Sequence, residues 1–320
     1  MGIRILSTGS AVPSNIVDNR YFESFLDTSD EWIKTRTGIH SRHINSGDGA
    51  VKMSAGAAEK AIRGAGIDKN EIGLIVCGTI TSDKIIPCLA AETRSTLGIE
   101  AAAFDINSAC TGFLVSLIAA AGMLRDLKLR YALVIGSEIL SRIVDWKDRA
   151  SCVLFGDGAG AVVIEYGVGF ENLMATGFFG ENDVGGLLDC GNFWPDNRFE
   201  KNERKNLLQM NGKGVFRFAV NAVTNEILRI CGQAGISPVE IDHFVPHQAN
   251  IRIISAVAQK LDIPLEKFVL NIERYGNTSA ASVPIALDEL NSSGALERGQ
   301  SVLTIAFGGG LSVASALFRW

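Results

Sequence analysis

Asp105-Ile106-Asn107-Ser108-Ala109-Cys110-Thr111-Gly112-Phe113 decides how the rest of the chain is read. The apolar run 101–106 predicts a strand, small polar residues follow, and an apolar helix is expected over 112–124, with a cysteine at the junction. The start of a helix offers unpaired backbone N–H groups and a partial positive charge, both of which favour a thiolate over a thiol. A cysteine placed there is a candidate nucleophile. The same residue also suits a small buried packing role, and the segment by itself leaves both open.

Working outward, the chain repeats itself. Ala65-Gly66-Ile67-Asp68-Lys69-Asn70-Glu71-Ile72-Gly73-Leu74-Ile75-Val76 matches Ala234-Gly235-Ile236-Ser237-Pro238-Val239-Glu240-Ile241-Asp242-His243-Phe244-Val245. Each copy follows a predicted helix (52–64 and 216–232) and becomes a strand; Leu97-Gly98-Ile99 then corresponds to Leu261-Asp262-Ile263. Apolar central helices over 112–124 and 278–290, strands over 131–135 and 301–307, and a later glycine-rich turn complete each half. Short apolar strands alternating with helices predict βα units around largely parallel sheets. Two such halves would pack about a pseudo-twofold axis with the central helices buried between two sheets, and their loops would meet in a common cleft.

Composition removes several function classes. The chain has 320 residues and a net charge of −5, with no basic footprint and no nucleic-acid-binding motif. Its first residues, Met1 to Ser7, read as a strand entering a core rather than a signal peptide. The apolar run 113–124 is shorter than the roughly 20 residues that span a bilayer, so a soluble, cytoplasmic protein without membrane or nucleic-acid partners is expected. Cys77, Cys88, Cys110, Cys152, Cys190 and Cys231 show no CxxC or CxH spacing, which argues against a zinc site and a disulfide framework.

The second half supplies two further polar junctions. The predicted strand 241–245 ends in Pro246-His247-Gln248-Ala249-Asn250, which places His247 to enter a cleft; a capping or surface histidine is the alternative. In Tyr275-Gly276-Asn277-Thr278-Ser279, Asn277 stands just before the central helix, where Cys110 stands in the first half; a turn or N-cap asparagine is the alternative.

With these residues in place the chain resembles the thiolase-fold condensing enzymes, specifically the β-ketoacyl-acyl carrier protein synthase III family. The likeness runs through residues 28–39 (TSDEWIKTRTGI), Ala109-Cys110-Thr111-Gly112-Phe113, Phe155-Gly156-Asp157-Gly158-Ala159-Gly160-Ala161, Pro246-His247-Gln248-Ala249-Asn250, residues 276–284 and Phe307-Gly308-Gly309-Gly310. It implies an α/β fold of duplicated αβαβα layers. An N-terminal half (1–168) would carry the nucleophile and a C-terminal half (169–320) the histidine and asparagine. It also implies a homodimer without metal or cofactor.

The same resemblance implies a decarboxylating Claisen condensation that initiates fatty-acid synthesis. Cys110 takes an acyl group from a short acyl-CoA, a malonyl thioester on acyl carrier protein follows, and His247 and Asn277 stabilise the enolate left by decarboxylation. Backbone N–H groups of Cys110 and Gly309 would form the oxyanion hole, with glycine at 309 explained as relief of crowding on the nucleophile. Thr28, Trp32, Arg36 and Arg149 would hold the CoA end, and Gly212, Phe216 and Asn250 the pantetheine channel. Arg217, Arg252 and Lys260 would dock acyl carrier protein, with ordinary solvated charge as the alternative. The degradative thiolases' second cysteine is missing from Phe307-Gly308-Gly309-Gly310-Leu311-Ser312, which favours a synthase.

Departures from the family pattern concern the acyl pocket. Ile86-Pro87-Cys88 replaces the frequent Phe-Pro-Ser, at a position the family contributes from its partner subunit; Leu311-Ser312-Val313-Ala314 and the charged, aromatic stretch 187–205 also differ. An enzyme of specialised, polyketide-type metabolism and a non-catalytic dimer partner are the competing readings; retention of Cys110, His247 and Asn277 disfavours the second.

Overall fold

The structure, a computed structural model, describes residues 2–170, 172–183, 185–191 and 207–320; Phe193, Trp194 and Phe199 of the divergent stretch lie outside them. The first half runs β1 (Gly2–Ala11), β2 (Ile16–Asp18), α1 (Asn19–Glu23), α2 (Asp30–Thr37), β3 (Ser41–His43), α3 (Gly49–Ala65), β4 (Ile72–Gly78), α4 (Leu89–Leu97), β5 (Ala102–Ile106), α5 (Gly112–Leu127), β6 (Tyr131–Ile139) and β7 (Asp157–Gly167). The second runs β8 (Leu173–Gly180), β9 (Leu188–Cys190), β10 (Leu208–Met210), α6 (Gly212–Ala234), β11 (His243–Pro246), α7 (Ile251–Leu261), α8 (Ile272–Tyr275), α9 (Ser282–Ser292), β12 (Ser301–Gly308) and β13 (Ser312–Arg319).

The repeat is visible in how its helices stop. Gly66 and Gly235 end α3 and α6 in the left-handed region (φ 65° and 71°), and Gly98 and Asp262 end α4 and α7 in the same way (φ 62° and 54°). The strands then assemble into two sheets, ordered β1-β7-β6-β4-β5 and β8-β13-β12-β11. The second order repeats the first without its last member, which survives as a single bridge between Phe244 and Phe268.

These sheets are mixed, which corrects the expectation of largely parallel ones. Only β4–β5, β4–β6 and β11–β12 pair in parallel; the other neighbours in both sheets are antiparallel. The reason lies in the connections. β6 returns as β7, and β12 as β13, without a crossover α-helix, and parallel neighbours need such a crossover.

Five layers result. α3 and α4 pack on the outer face of the first sheet, and α6 and α7 on the outer face of the second. Between the sheets lie α5 and α9, in a core that mixes Val76, Phe113 and Leu117 with Val283, Leu287 and Val302. This is the duplicated αβαβα arrangement. The strands of the first sheet all lie within 2–167 and those of the second within 173–319, yet the central core belongs to both.

With the 3-10 turn before it, the first central helix spans 19 residues, 109–127. By length and composition that is enough to cross a membrane, so the judgement that the run 113–124 is too short does not hold for the whole helix. Its residues Phe113, Leu114, Leu117, Ala120 and Leu124 are buried in the core between the sheets. The approach is close: a Cβ on Gly78, at the end of β4, would lie 2.3 Å from the carbonyl carbon of Gly112.

Each central helix is entered through a 3-10 turn, Ala109–Thr111 before α5 and Ser279–Ala281 before α9. Ala109 and Ser279 open these turns with positive φ (45° and 49°), a conformation seldom adopted by side-chain-bearing residues. The turns stand 170 positions apart (109 to 279), as do the helices (112 to 282). In that register the twin of Cys110 is Ala280 and the twin of Asn277 is Asn107, which corrects the expected equivalence of Cys110 with Asn277. The two polar groups enter from different steps of matched turns.

Candidate active site

Cys110, His247 and Asn277 all line one cavity of about 760 Å³ between the halves. Cys110 lies in the turn after β5, half-buried, two residues ahead of α5 rather than within its first turn. Burial pushes its thiol up to about 11; hydrogen bonding from Ser279 opposes the shift, and the nearby Glu138 carboxylate adds to it. Desolvation thus works against the thiolate that the start of a helix favours.

His247 follows β11 and is buried, with its backbone N–H donating to the Ile305 carbonyl at 2.7 Å. Burial lowers its pKa to about 3, so the ring is neutral at physiological pH. Nδ1 lies 2.6 Å from Ser282 Oγ, and that oxygen also accepts the Gln248 N–H at 3.4 Å. With that hydroxyl donating to Nδ1, the imidazole carries its proton on Nε2. Phe307 meets the ring edge-on at 5.3 Å and fixes its plane.

Asn277 is gripped by the first half. Its N–H donates to the Leu154 carbonyl (2.8 Å), and its own carbonyl accepts from Gly156 (3.0 Å). Oδ1 accepts the Ser279 N–H at 2.8 Å, closing the turn before α9 and leaving the NH2 end of the amide for the cavity. The three side chains thus supply a thiol, an imidazole N–H and an amide N–H to one space.

The glycines at the end of β12 approach from the other side. A Cβ on Gly308 would stand 2.9 Å from Cys110 N and 3.0 Å from Cys110 Cβ, whereas one on Gly309 would meet nothing nearer than 3.4 Å. The crowding argument made for Gly309 therefore belongs to Gly308. Gly309 lines the cavity beside it, and Ser312 Oγ ties this turn to Thr111 Oγ1 (3.1 Å) and to the Gly309 carbonyl (3.2 Å). The inner wall is apolar, built from Ile80, Leu140, Ile143, Leu154, Leu188 and Leu208.

Toward solvent, Gly212, Phe216 and Asn250 line both this cavity and an outer groove that also includes Arg36, Arg217 and Arg252. Trp32 lies outside both linings, with the guanidinium of Arg149 4.8 Å from its ring centroid and that of Arg36 6.0 Å away. Arg149 also donates to the Asp27 carbonyl at 2.5 Å, and Thr28 Oγ1 is buried without a hydrogen-bond partner among the described residues. Lys260 is bonded to Asn221 Oδ1 (2.9 Å) and does not line the groove. Ile86 is 83% exposed and takes no part in the cavity of its own chain.

Residues 104–178 match the model of the family described as 3-oxoacyl-[acyl-carrier-protein] synthase III, and residues 231–320 match that of its C-terminal part. The β-ketoacyl-[acyl-carrier-protein] synthase III of Clostridium botulinum strain Kyoto is 42% identical, over 99% of this chain and 98% of that protein. The chain belongs to the β-ketoacyl-[acyl-carrier-protein] synthase III family. Among solved structures, the synthase III of Aquifex aeolicus VF5 matches with a TM-score of 0.93 at 40% identity, covering all of both chains. The priming β-ketosynthase of the R1128 polyketide pathway matches with a TM-score of 0.93 at 35% identity, covering 99% of this chain and 96% of that one.

Sequence reasoning about this synthase III misses Ser282, Ser279, Glu138 and Gly308. Ser282 stands 35 residues from the histidine it orients, and no local pattern connects the two. Gly308 sits in a run of three glycines whose members differ only in what packs against them.

Proposed function

We propose that this synthase III condenses a short acyl-CoA with malonyl-acyl carrier protein, releasing CO2 and CoA and giving the β-ketoacyl-acyl carrier protein that starts fatty-acid synthesis. The observation that carries the reading is the convergence of Cys110, His247 and Asn277 on one apolar-walled cavity that continues into a groove bearing Arg36, Arg217 and Arg252. Cys110 attacks the acyl thioester, and the acyl group is held on sulfur while CoA departs. Loss of CO2 from the malonyl thioester needs no base. It leaves an enolate whose oxygen accepts from His247 Nε2–H and the Asn277 amide, and donors fixed in advance are worth most where charge develops. The enolate carbon then attacks the acyl-Cys110 carbonyl, with the backbone N–H groups of Cys110 and Gly309 assigned to the resulting oxyanion.

Gly212, Phe216 and Asn250 would take pantetheine along the channel, and Trp32, Arg36, Arg149 and Thr28 the nucleotide end, where an aromatic face and guanidinium groups suit adenine and phosphate. Arg217 and Arg252 suit an acidic carrier protein at the groove mouth; Lys260 would add to them from α7. No metal or cofactor is needed, and the soluble substrates suit a cytoplasmic enzyme. A homodimer is supported by β5, an edge strand of the first sheet, and by the exposed Ile85 and Ile86 beyond β4. A partner's Ile86 would then bound the acyl pocket.

Intact-protein mass after incubation with acetyl-, butyryl- and isobutyryl-CoA tests the reading. A mass gain mapped to Cys110 is expected, and its absence with every donor would overturn the acyl-CoA assignment. The likeness to the R1128 priming enzyme supports a second reading, synthesis of a polyketide starter. Turnover of the loaded enzyme with malonyl-acyl carrier protein against other malonyl acceptors separates the two.

A further inference from the structure

Gln248, next to the histidine, is buried and has no part in the reaction above, yet its amide uses every hydrogen bond it can make. Nε2 donates to the carbonyls of Pro246 (2.8 Å) and Val269 (3.0 Å), and Oε1 accepts the N–H groups of Asn271 (3.1 Å) and Ile272 (3.2 Å). Two carbonyls on one side and two N–H groups on the other admit the amide in one orientation only. Those partners belong to two different segments. Pro246 ends β11 and precedes His247, whereas residues 269–272 lead into α8, whose Ile272 carbonyl accepts from Gly276 (2.9 Å) immediately before Asn277. The Gln248 backbone N–H also reaches Ser282 Oγ (3.4 Å), the oxygen that meets His247 Nδ1. One side chain therefore joins the strand end that carries the histidine to the helix that delivers the asparagine. The nucleophile's turn is fastened elsewhere, by Thr111 Oγ1 to the Ser108 carbonyl (2.7 Å) and to Ser312 Oγ (3.1 Å).

We infer that Gln248 is a positioning residue for the enolate site, its amide setting the separation between His247 Nε2–H and the Asn277 side chain. The inference deepens the functional reading above and rests on it. The two donors come from separate stretches of chain, so no local backbone geometry holds them to a common target. An oxygen on which charge develops is stabilised by donors already aimed at it. Without the Gln248 amide, four buried backbone groups each lose a partner, and the two segments shift to find others. A displacement of about 1 Å at a reacting centre costs about a hundredfold in rate. Acyl transfer to Cys110 does not draw on this pair of donors and should not register the change.

The test follows both half-reactions in the full chain for Gln248→Asn, which keeps the amide and loses the reach, and Gln248→Met, which keeps the reach and loses the amide. CO2 release from malonyl-acyl carrier protein reports decarboxylation. Intact mass with acetyl-, butyryl- or isobutyryl-CoA, whichever loads the wild type fastest, reports acylation of Cys110. In either variant kcat for CO2 release should fall at least about tenfold, with KM and the loading rate within about twofold of wild type. Val163→Ala, in the core between the first sheet and α3, weakens the fold away from the cavity and should not separate the two half-reactions. Wild-type CO2 release in a folded Gln248 variant, equal losses in both half-reactions, or the same split in Val163→Ala would overturn the inference. A wild type that releases no CO2 overturns the functional reading instead, and the role of Gln248 is then read from crystal structures of the wild type and Gln248→Asn. Movement of residues 269–277 away from His247 supports it, and superposition of the two refutes it.

Discussion

Alanine at position 282 removes one hydroxyl and leaves His247 Nδ1 buried without its partner at 2.6 Å. A Ser282 hydroxyl that donates to Nδ1 favours the proton on Nε2, and only the Nε2–H form can donate toward the enolate oxygen. A buried neutral hydrogen bond contributes about 1–1.5 kcal/mol net, close to a factor of ten in the ratio of the two tautomers. Decarboxylation of a malonyl thioester by Ser282→Ala should therefore slow about tenfold, while acyl loading of Cys110, which does not use that N–H, stays at the wild-type rate. CO2 release and intact mass measured on the same preparation give both numbers, and Ser282→Thr should recover part of the loss by restoring a hydroxyl. Wild-type decarboxylation in the alanine variant would refute the tautomer argument. Equal losses in both half-reactions would make Ser282 a general scaffold residue.

Two neighbouring glycines should respond differently to the same methyl group. Gly308→Ala forces a Cβ to within 3.0 Å of Cys110 and should sharply reduce acyl loading, whereas Gly309→Ala meets only ordinary contacts and should load normally; intact mass distinguishes them. Thermal melts should show stability falling as pH drops from 7 to 4. Burial holds His247 at about 3 in the native state against 6.5 when exposed, so between those values the unfolded chain binds the extra proton and acid favours unfolding. His247→Asn should flatten that part of the profile, and an unchanged acid slope would show that the ring is not buried as a neutral group.

How much of this was legible follows the range of the interactions. The repeat, the helix ends at Gly66 and Gly235 and the strand–turn–helix around Cys110 depend on neighbours a few residues apart, and they stand in the sequence. Strand direction does not. The return of β6 as β7 is fixed by pairing across a stretch of loop and a 3-10 turn, which no apolar period records. Burial is equally remote: the rule that a helix terminus favours a thiolate is sound, but the burial of Cys110, which works against it, is set by distant residues. His247 and Asn277 were findable because small polar residues interrupt apolar runs, whereas Ser282 and Glu138 lie inside segments that look like plain core. The glycine run advertised a close approach without saying which member makes it.

The matched turns carry a consequence for how such a site can change. Ala109 and Ser279 share one unusual backbone bend, yet the next residue is a thiol in one turn and a methyl group in the other. A protein made of two identical subunits would have to place the same side chain at both positions, so that any substitution altered nucleophile and support together. Fusion of the copies into one chain removes that constraint. The nucleophile's turn packs against Gly308 of the second half, and the asparagine is held by Leu154 and Gly156 of the first. Each copy thereby became the other's mould, and mutations could specialise one bend while its twin preserved the shape.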